Sequence, residues 1–114
     1  MEKKVEYSLI KGNIIDVLPT LERSIKIFEK KYVSVKVGIT GRNPQERFNE
    51  HQKTRRWNRM VVKYKTNSES LINKVEDYFI LYHPQLKNNW MGYSHLSKGG
   101  DNYFYILLYG KKTD

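Results

Sequence analysis

The sequence of 114 residues predicts an α/β (α+β) fold, with a small mixed or antiparallel sheet of three to four strands flanked by helices. Residues 33–39 alternate apolar and polar side chains as a half-buried strand does, and residues 103–109 are apolar on both faces, as a buried strand is. Two segments between them begin with helix-capping residues. We expect the order β-β-α-β-α-β in one compact domain, because a chain of this length supports a single modest core.

The first two dozen residues have the weakest pattern. Apolar residues recur with helical spacing after Asn13, which indicates a short helix that Pro19 interrupts. We predict that residues 24–28 form the first strand. The domain would then span residues 24–114, with residues 1–23 as an N-terminal extension.

The clearest strand covers residues 33–39. Its β-branched residues point to one face, while Lys36 and Gly38 lie on the other face. Because Gly38 has no side chain, it leaves room for another group to approach the sheet.

A helix is predicted to follow this strand after a tight loop. Asn43 can cap the helix, Pro44 suits its first position, and Glu46 stands where a capping box has its carboxylate. Arg47 and His51 then lie one turn apart on the same helix face.

A further strand is predicted over residues 61–66, and a second helix from about Ser68 to Tyr82. Glu76 lies at the edge of the apolar stripe of this helix. A carboxylate beside a buried stripe is costly unless a cation or a metal compensates it. An ion pair with Arg47 and a metal site explain Glu76 equally well.

The net charge of +9 is concentrated in one segment. Eight Lys and Arg residues lie between Arg42 and Lys65 against two acids, so this segment carries six of the nine net charges. Clustered cations bind phosphates by displacing counterions, and we therefore prefer a polyanion partner to a merely solvated basic face. We expect this partner to be DNA, or alternatively RNA. The candidate nucleic-acid contacts are Arg42, Lys53, Arg55, Arg56, Arg59 and Lys63.

The composition also excludes some classes of site. The sequence contains no cysteine, which rules out disulfides and cysteine-based zinc sites and fits a reducing compartment. No apolar run is long enough to cross a bilayer. We expect a cytoplasmic protein without a membrane partner.

Gly38, Arg47, His51 and Glu76 occur in an order that resembles the GIY-YIG nuclease superfamily, over roughly residues 24–109. The motif KVGIT stands where that family has its YIG strand, and RNPQERFNEH resembles the helix that follows it. The motif NKVEDYFILYHP resembles the later helix that carries the metal-binding glutamate. KVG in place of YIG is similar to the phage-associated branch with KIGIT-type strands.

The resemblance implies a small metal-dependent endonuclease that hydrolyses or nicks DNA. Arg47 would stabilise charge on the scissile phosphate, and Glu76 would be the sole protein ligand of one Mg²⁺ or Mn²⁺ ion. His51 would hold the phosphate or relay a proton, and Lys36 would contact phosphate or act as a base. Compact domains of this kind suit phage or mobile-element biology, which implies the cytoplasm of a host cell.

Other positions keep alternatives open. Asn88 or Asn89 resembles the family's asparagine near the site. The GIY tripeptide is absent, and its place falls near residues 24–26. Either a lysine or a tyrosine such as Tyr7 or Tyr93 takes over its role, or the chain is a nuclease-derived DNA-binding regulator or protein-binding inhibitor that no longer cleaves.

Overall fold

The computed structural model describes residues 4–53, 55–83 and 96–112, which form a four-stranded mixed sheet with three helices. In chain order the elements are β1 (Lys4–Tyr7), α1 (Ile14–Lys31), β2 (Tyr32–Thr40), α2 (Pro44–Gln52), β3 (Arg59–Thr66), α3 (Glu69–Tyr82) and β4 (Asn102–Lys111). The order across the sheet is β1-β3-β4-β2, and β4 runs antiparallel to both neighbours while β1 is parallel to β3. The predicted fold class is confirmed.

The helix α1 occupies the segment that was predicted as a short helix and a strand. The strand prediction for residues 24–28 is wrong, because Ile25 and Phe28 continue the helical spacing that begins at Leu21. Ile25 is fully buried, whereas Ile27 is 51% exposed. Residues two positions apart lie on different sides of a helix but on the same face of a strand, so these exposures fit a helix. Residues 24–28 taken alone are compatible with the period of a strand and with that of a helix. The longer helical pattern around them determines the structure.

Pro19 lies inside α1 and does not interrupt it. A proline removes one backbone hydrogen bond, but its φ angle is compatible with a helix. The helix is held by burying Val17, Leu21 and Ile25 against the sheet. The predicted boundary between residues 23 and 24 lies within this continuous helix.

The strand β1 was not predicted from the sequence. It pairs with β3, from Lys4 opposite Arg59 to Tyr7 opposite Val62. Arg59 forms a bidentate ion pair with Glu6, with nitrogen–oxygen distances of 2.5 and 2.8 Å, and it donates a further hydrogen bond to the Tyr32 hydroxyl. These contacts attach β1 to the core of the sheet.

The two faces of the sheet have different helices. Alternation along β4 defines them: Phe104, Ile106 and Leu108 pack with α1 and α3, whereas Tyr105 and Leu107 pack on the other side. The helix α2 packs on that other side through Phe48, so we call it the α2 face.

The parallel strands β1, β2 and β3 explain this arrangement. The connection from β1 to β2 crosses the sheet in one direction and the connection from β2 to β3 returns, so two right-handed crossovers place α1 and α2 on opposite faces.

The remaining strands and helices lie close to their predicted positions. Asn43 caps α2, and α3 begins after Ser68, whose hydroxyl accepts a hydrogen bond from the Leu71 backbone. The buried stripe of α3 consists of Ile72, Val75 and Phe79. Trp57 is buried in the core of the α2 face.

Candidate functional site

The helix α2 positions the two residues that the sequence singled out. The Asn43 side chain accepts hydrogen bonds from the backbone of Gln45 and Glu46, at 2.8 and 3.4 Å, which fixes the first turn. Arg47 and His51 follow one turn apart, and both reach towards β4 and β2 on the α2 face.

His51 is held as a neutral side chain inside the protein. It is only 5% exposed, and its Nε2 atom lies 2.8 Å from the Tyr105 hydroxyl. Burial lowers the pKa of His51 to about 3, and the nearby cations of Arg47 and Lys36 contribute to that shift. Arg47 also hydrogen-bonds Tyr105. Since a guanidinium only donates, the Tyr105 oxygen accepts from Arg47 and can donate its own proton to neutral His51.

The side chain of Arg47 is shared between the buried hydroxyl of Tyr105 and an acid at the surface. Its Nη1 atom lies 2.9 Å from Glu50 Oε1, and Arg42 contacts the other oxygen of Glu50 at 2.7 Å. The side chain of Arg47 is only 18% exposed, which fixes its guanidinium more tightly than that of a typical surface arginine. One carboxylate therefore orients two guanidinium groups.

Lys36 brings a further cation to the same place. Burial lowers the pKa of its ammonium, and the positive charges of Arg47 and Arg55 lower it further. Arg55 itself reaches Ser34 on the same strand as Lys36, at 3.3 Å. Glu50 compensates only part of this positive charge, so the proximity of like charges favours the binding of a further anion.

Lys36, Arg47, His51 and Tyr105 therefore form a candidate anion site on the α2 face, which we call the Arg47 cluster. Gly38 pairs directly with Tyr105, so the position beside the phenol has no side chain. Planar guanidinium donors and a desolvated ammonium suit a phosphate or a phosphodiester.

Glu76 does not join this cluster. It lies on α3, which packs on the opposite face of the sheet, and the described part of the chain contains no ion pair or hydrogen bond of its carboxylate. The ion pair with Arg47 that the sequence allowed is absent there, because Arg47 pairs with Glu50. Burial raises the pKa of Glu76 to about 7, and Asp77 contributes to the shift.

The placement of Glu76 bears on the expected metal ion. One half-buried carboxylate completed by water can hold Mg²⁺, but an ion bound there would lie across the sheet from a phosphate at Arg47. These residues therefore do not fit a metal acting on that phosphate. Among residues 4–53, 55–83 and 96–112, no group of three or more His, Asp or Glu side chains is placed to hold a metal ion.

The predicted nucleic-acid contacts are divided between the two faces. Lys53, Arg55 and Arg56 are exposed after α2, and Arg42 is bound to Glu50. Arg59 lies on the face of α1 and is occupied by its ion pair with Glu6. Lys63 contacts Ser8 through its ammonium group at 3.3 Å. Asn88, Asn89 and Tyr93 lie outside the described residues.

Sequence reasoning missed Tyr105. We interpreted the aromatic residues of β4 as core, and Tyr105 is indeed fully buried as a residue. The sequence of β4 is apolar on both faces, so it does not indicate that the Tyr105 hydroxyl contacts His51 and Arg47 of α2. Its place in the site follows from the strand register, which pairs Tyr105 with Gly38, and from its contact with His51.

Comparisons of the chain with protein-family models, with curated proteins and with solved structures gave no match. Within the part of the chain that the structure describes, no helix is long and apolar enough to span a membrane.

Proposed function

We propose that this protein binds nucleic acid through the α2 face, with the phosphate backbone at the Arg47 cluster. The supporting observation is the meeting of Lys36, Arg47 and Arg55, three cations from separate segments, around a partly desolvated position. A phosphate would relieve their mutual repulsion and accept hydrogen bonds from groups that are already oriented.

The salt dependence of binding tests this proposal. Fluorescence anisotropy of labelled oligonucleotides, measured over a range of salt concentrations, gives the number of phosphate contacts. We expect Lys36→Met and Arg47→Met each to weaken binding and to lower the slope of log K against log [salt] by about 0.7–0.9. EDTA should have no effect on the affinity.

Lys74→Met is the matched control. Lys74 is exposed on α3, on the opposite face, so its substitution removes the same charge without touching the Arg47 cluster. If all three variants lose affinity equally, binding follows net charge alone and the proposed site is wrong.

The second candidate is the metal-dependent endonuclease that the resemblance implies, although Glu76 and the Arg47 cluster lie on opposite faces of the sheet. It is favoured by Lys36, whose lowered pKa makes the neutral amine more accessible beside Arg47, since a proton acceptor next to a phosphate-binding cation is what hydrolysis of a phosphodiester uses. Purified protein incubated with supercoiled plasmid and Mg²⁺ or Mn²⁺ would then produce nicked circles. If supercoiled plasmids and other DNA substrates all remain intact, this result would count against the candidate.

Glu76→Gln separates the two candidates. The nuclease that the resemblance implies predicts that this variant loses cleavage while its DNA affinity is retained. It also predicts that Mg²⁺ stabilises the wild type at pH 7 and not the variant, because a bound ion stabilises only the folded state. Backbone binding at the Arg47 cluster alone predicts no effect of the substitution on affinity, with or without Mg²⁺.

A further inference from the structure

Two tyrosines, Tyr7 on β1 and Tyr103 on β4, lie near each other on the α2 face, beside the Arg47 cluster. Tyr7 is 56% exposed, whereas its strand neighbour Val5 packs into the core of this face. Tyr103 is half-buried against the same core. Burial raises the pKa of the Tyr7 hydroxyl, and the nearby Tyr103 raises it further. The two phenols are therefore neighbours across β3.

These tyrosines are aligned with the Arg47 cluster by the register of the sheet. Tyr7 pairs with Val62, Val62 with Tyr105, and Tyr105 with Gly38, so one cross-strand row connects Tyr7 to the candidate anion site. Two strand spacings separate the backbones of Tyr7 and Tyr105, about 10 Å. A short stretch of nucleotides can span that distance.

A further cation lies beside the tyrosines. The ammonium group of Lys63 contacts the hydroxyl of Ser8, which follows Tyr7 in the chain. Burial lowers the pKa of Lys63, and no acid among the described residues forms an ion pair with it. Lys63 is also the residue at which the register between β3 and β4 shifts, from Val62 to Tyr64.

Proteins that bind single-stranded nucleic acids commonly combine exposed aromatic rings with nearby cations. Tyr7, Tyr103 and Lys63 provide this combination. Unpaired bases stack on aromatic side chains while cations contact the backbone, whereas a duplex keeps its base faces inside the helix. The core does not account for the exposed ring of Tyr7, because β1 already contributes Val5 to it.

We infer that Tyr7, Tyr103 and Lys63 form a base-stacking patch, and that the ligand of the α2 face is single-stranded nucleic acid. This inference rests on the proposed function, because the Arg47 cluster would hold the backbone of the same strand.

Anisotropy titrations test the inference with three probes of one sequence: single-stranded DNA, single-stranded RNA and duplex DNA, each of about 12 nucleotides, a length within the range of single-strand binding sites. We expect tighter binding of at least one single-stranded probe than of the duplex. Tyr7→Ala should weaken single-strand binding at least about fivefold, the ratio that ~1 kcal/mol of lost stacking produces.

Two further variants control the test. Tyr7→Phe keeps the ring and should bind as the wild type does. Tyr82→Ala removes a similarly exposed tyrosine from α3, on the opposite face, and should have no effect on binding.

The two levels of the proposal fail separately. If no probe binds, nucleic-acid binding itself is overturned. If the duplex binds as tightly as both single strands and Tyr7→Ala is neutral, the stacking patch is overturned while backbone binding at the Arg47 cluster stands. A preference for DNA or for RNA among the single strands supports the inference and identifies the sugar.

Discussion

Substitution of Glu76 should change how the stability of this protein depends on pH. Glu76 and His51 are both shielded from water, one on each face of the sheet, and the fold favours the uncharged form of each. Their effects on stability have opposite signs between pH 5 and 7. Removing one group therefore reveals the other.

For Glu76, the pKa in the folded protein is about 7 against an ordinary value of 4.5. The folded protein keeps this proton when the unfolded chain has lost it. Stability from this group is therefore fully present below pH 4.5 and is lost as the pH rises through about 7. Between pH 5 and pH 7 this loss amounts to about 2 kcal/mol.

For His51, the pKa falls from 6.5 to about 3, and the sign is reversed. The unfolded chain binds the proton first. Stability is therefore present above pH 6.5 and is lost as the pH falls towards about 3. From pH 7 to pH 5 this loss is again about 2 kcal/mol. The two contributions nearly cancel, so the wild type should be almost insensitive to pH over this range.

The variants break this balance. From pH 7 to pH 5, Glu76→Gln should lose about 2 kcal/mol of unfolding free energy, and His51→Gln should gain a similar amount. Urea unfolding at the two pH values measures both, with the fluorescence of the buried Trp57 as the signal. The slope with pH is the readout, because each substitution also shifts stability at every pH.

Three carboxylates that form ion pairs or hydrogen bonds in the folded protein do not interfere in this range. The pKa values of Glu6, Glu22 and Glu50 are all lowered, so these groups titrate in more acidic solution. A Glu76→Gln variant that stays as insensitive to pH as the wild type would refute the assignment of Glu76 as a desolvated carboxyl.

Two more predictions concern the α2 face and the junction of α1 with α3. Lys36→Met should stabilise the protein at pH 7 by a few tenths to about 1 kcal/mol, because it removes a charge that is partly buried and that Arg47 repels. The folded protein lowers the pKa of Lys36, so the destabilising effect of this group weakens as the pH rises towards 10.5 and the difference between the two proteins should shrink. Denaturation of both proteins at pH 7 and pH 10 measures this difference. Glu22→Gln should cost about 1–3 kcal/mol, because the Glu22 carboxylate accepts from the Tyr78 hydroxyl at 2.5 Å and contacts His83 at 2.9 Å. An ultraviolet titration should then show the pKa of Tyr78 falling from about 12 towards 10.

The local patterns of the sequence predicted most of the strands and two of the helices. The period of two in β2 and the Asn43 cap of α2 each depend on residues that are close in sequence. The prediction of α1 failed because the five residues 24–28 have a pattern that is compatible with a strand as well as with a helix. The strand β1 was not predicted because four residues are too few to show a strand alternation. Its parallel pairing with β3 also depends on residues more than fifty positions away.

The same distinction applies to the candidate site. Arg47, His51 and Lys36 meet because β2 leads directly into α2. Tyr105 joins them only through the register of β4 against β2. The face on which Glu76 lies depends on the strand order, and no local pattern in α3 contains that information.

The topology also explains why polar groups gather on the α2 face. The helix α2 has nine residues and is about 14 Å long, whereas α1 and α3, with eighteen and fourteen residues, cover the opposite face. Two right-handed crossovers in opposite directions require α2 to lie alone there among the described helices. A helix this short buries Phe48 and the centre of the sheet, and it leaves charged and aromatic side chains at its flanks. We therefore expect binding to depend on Lys36 and Tyr7, which lie on either side of that covered centre, while substitutions on α3 leave it unchanged.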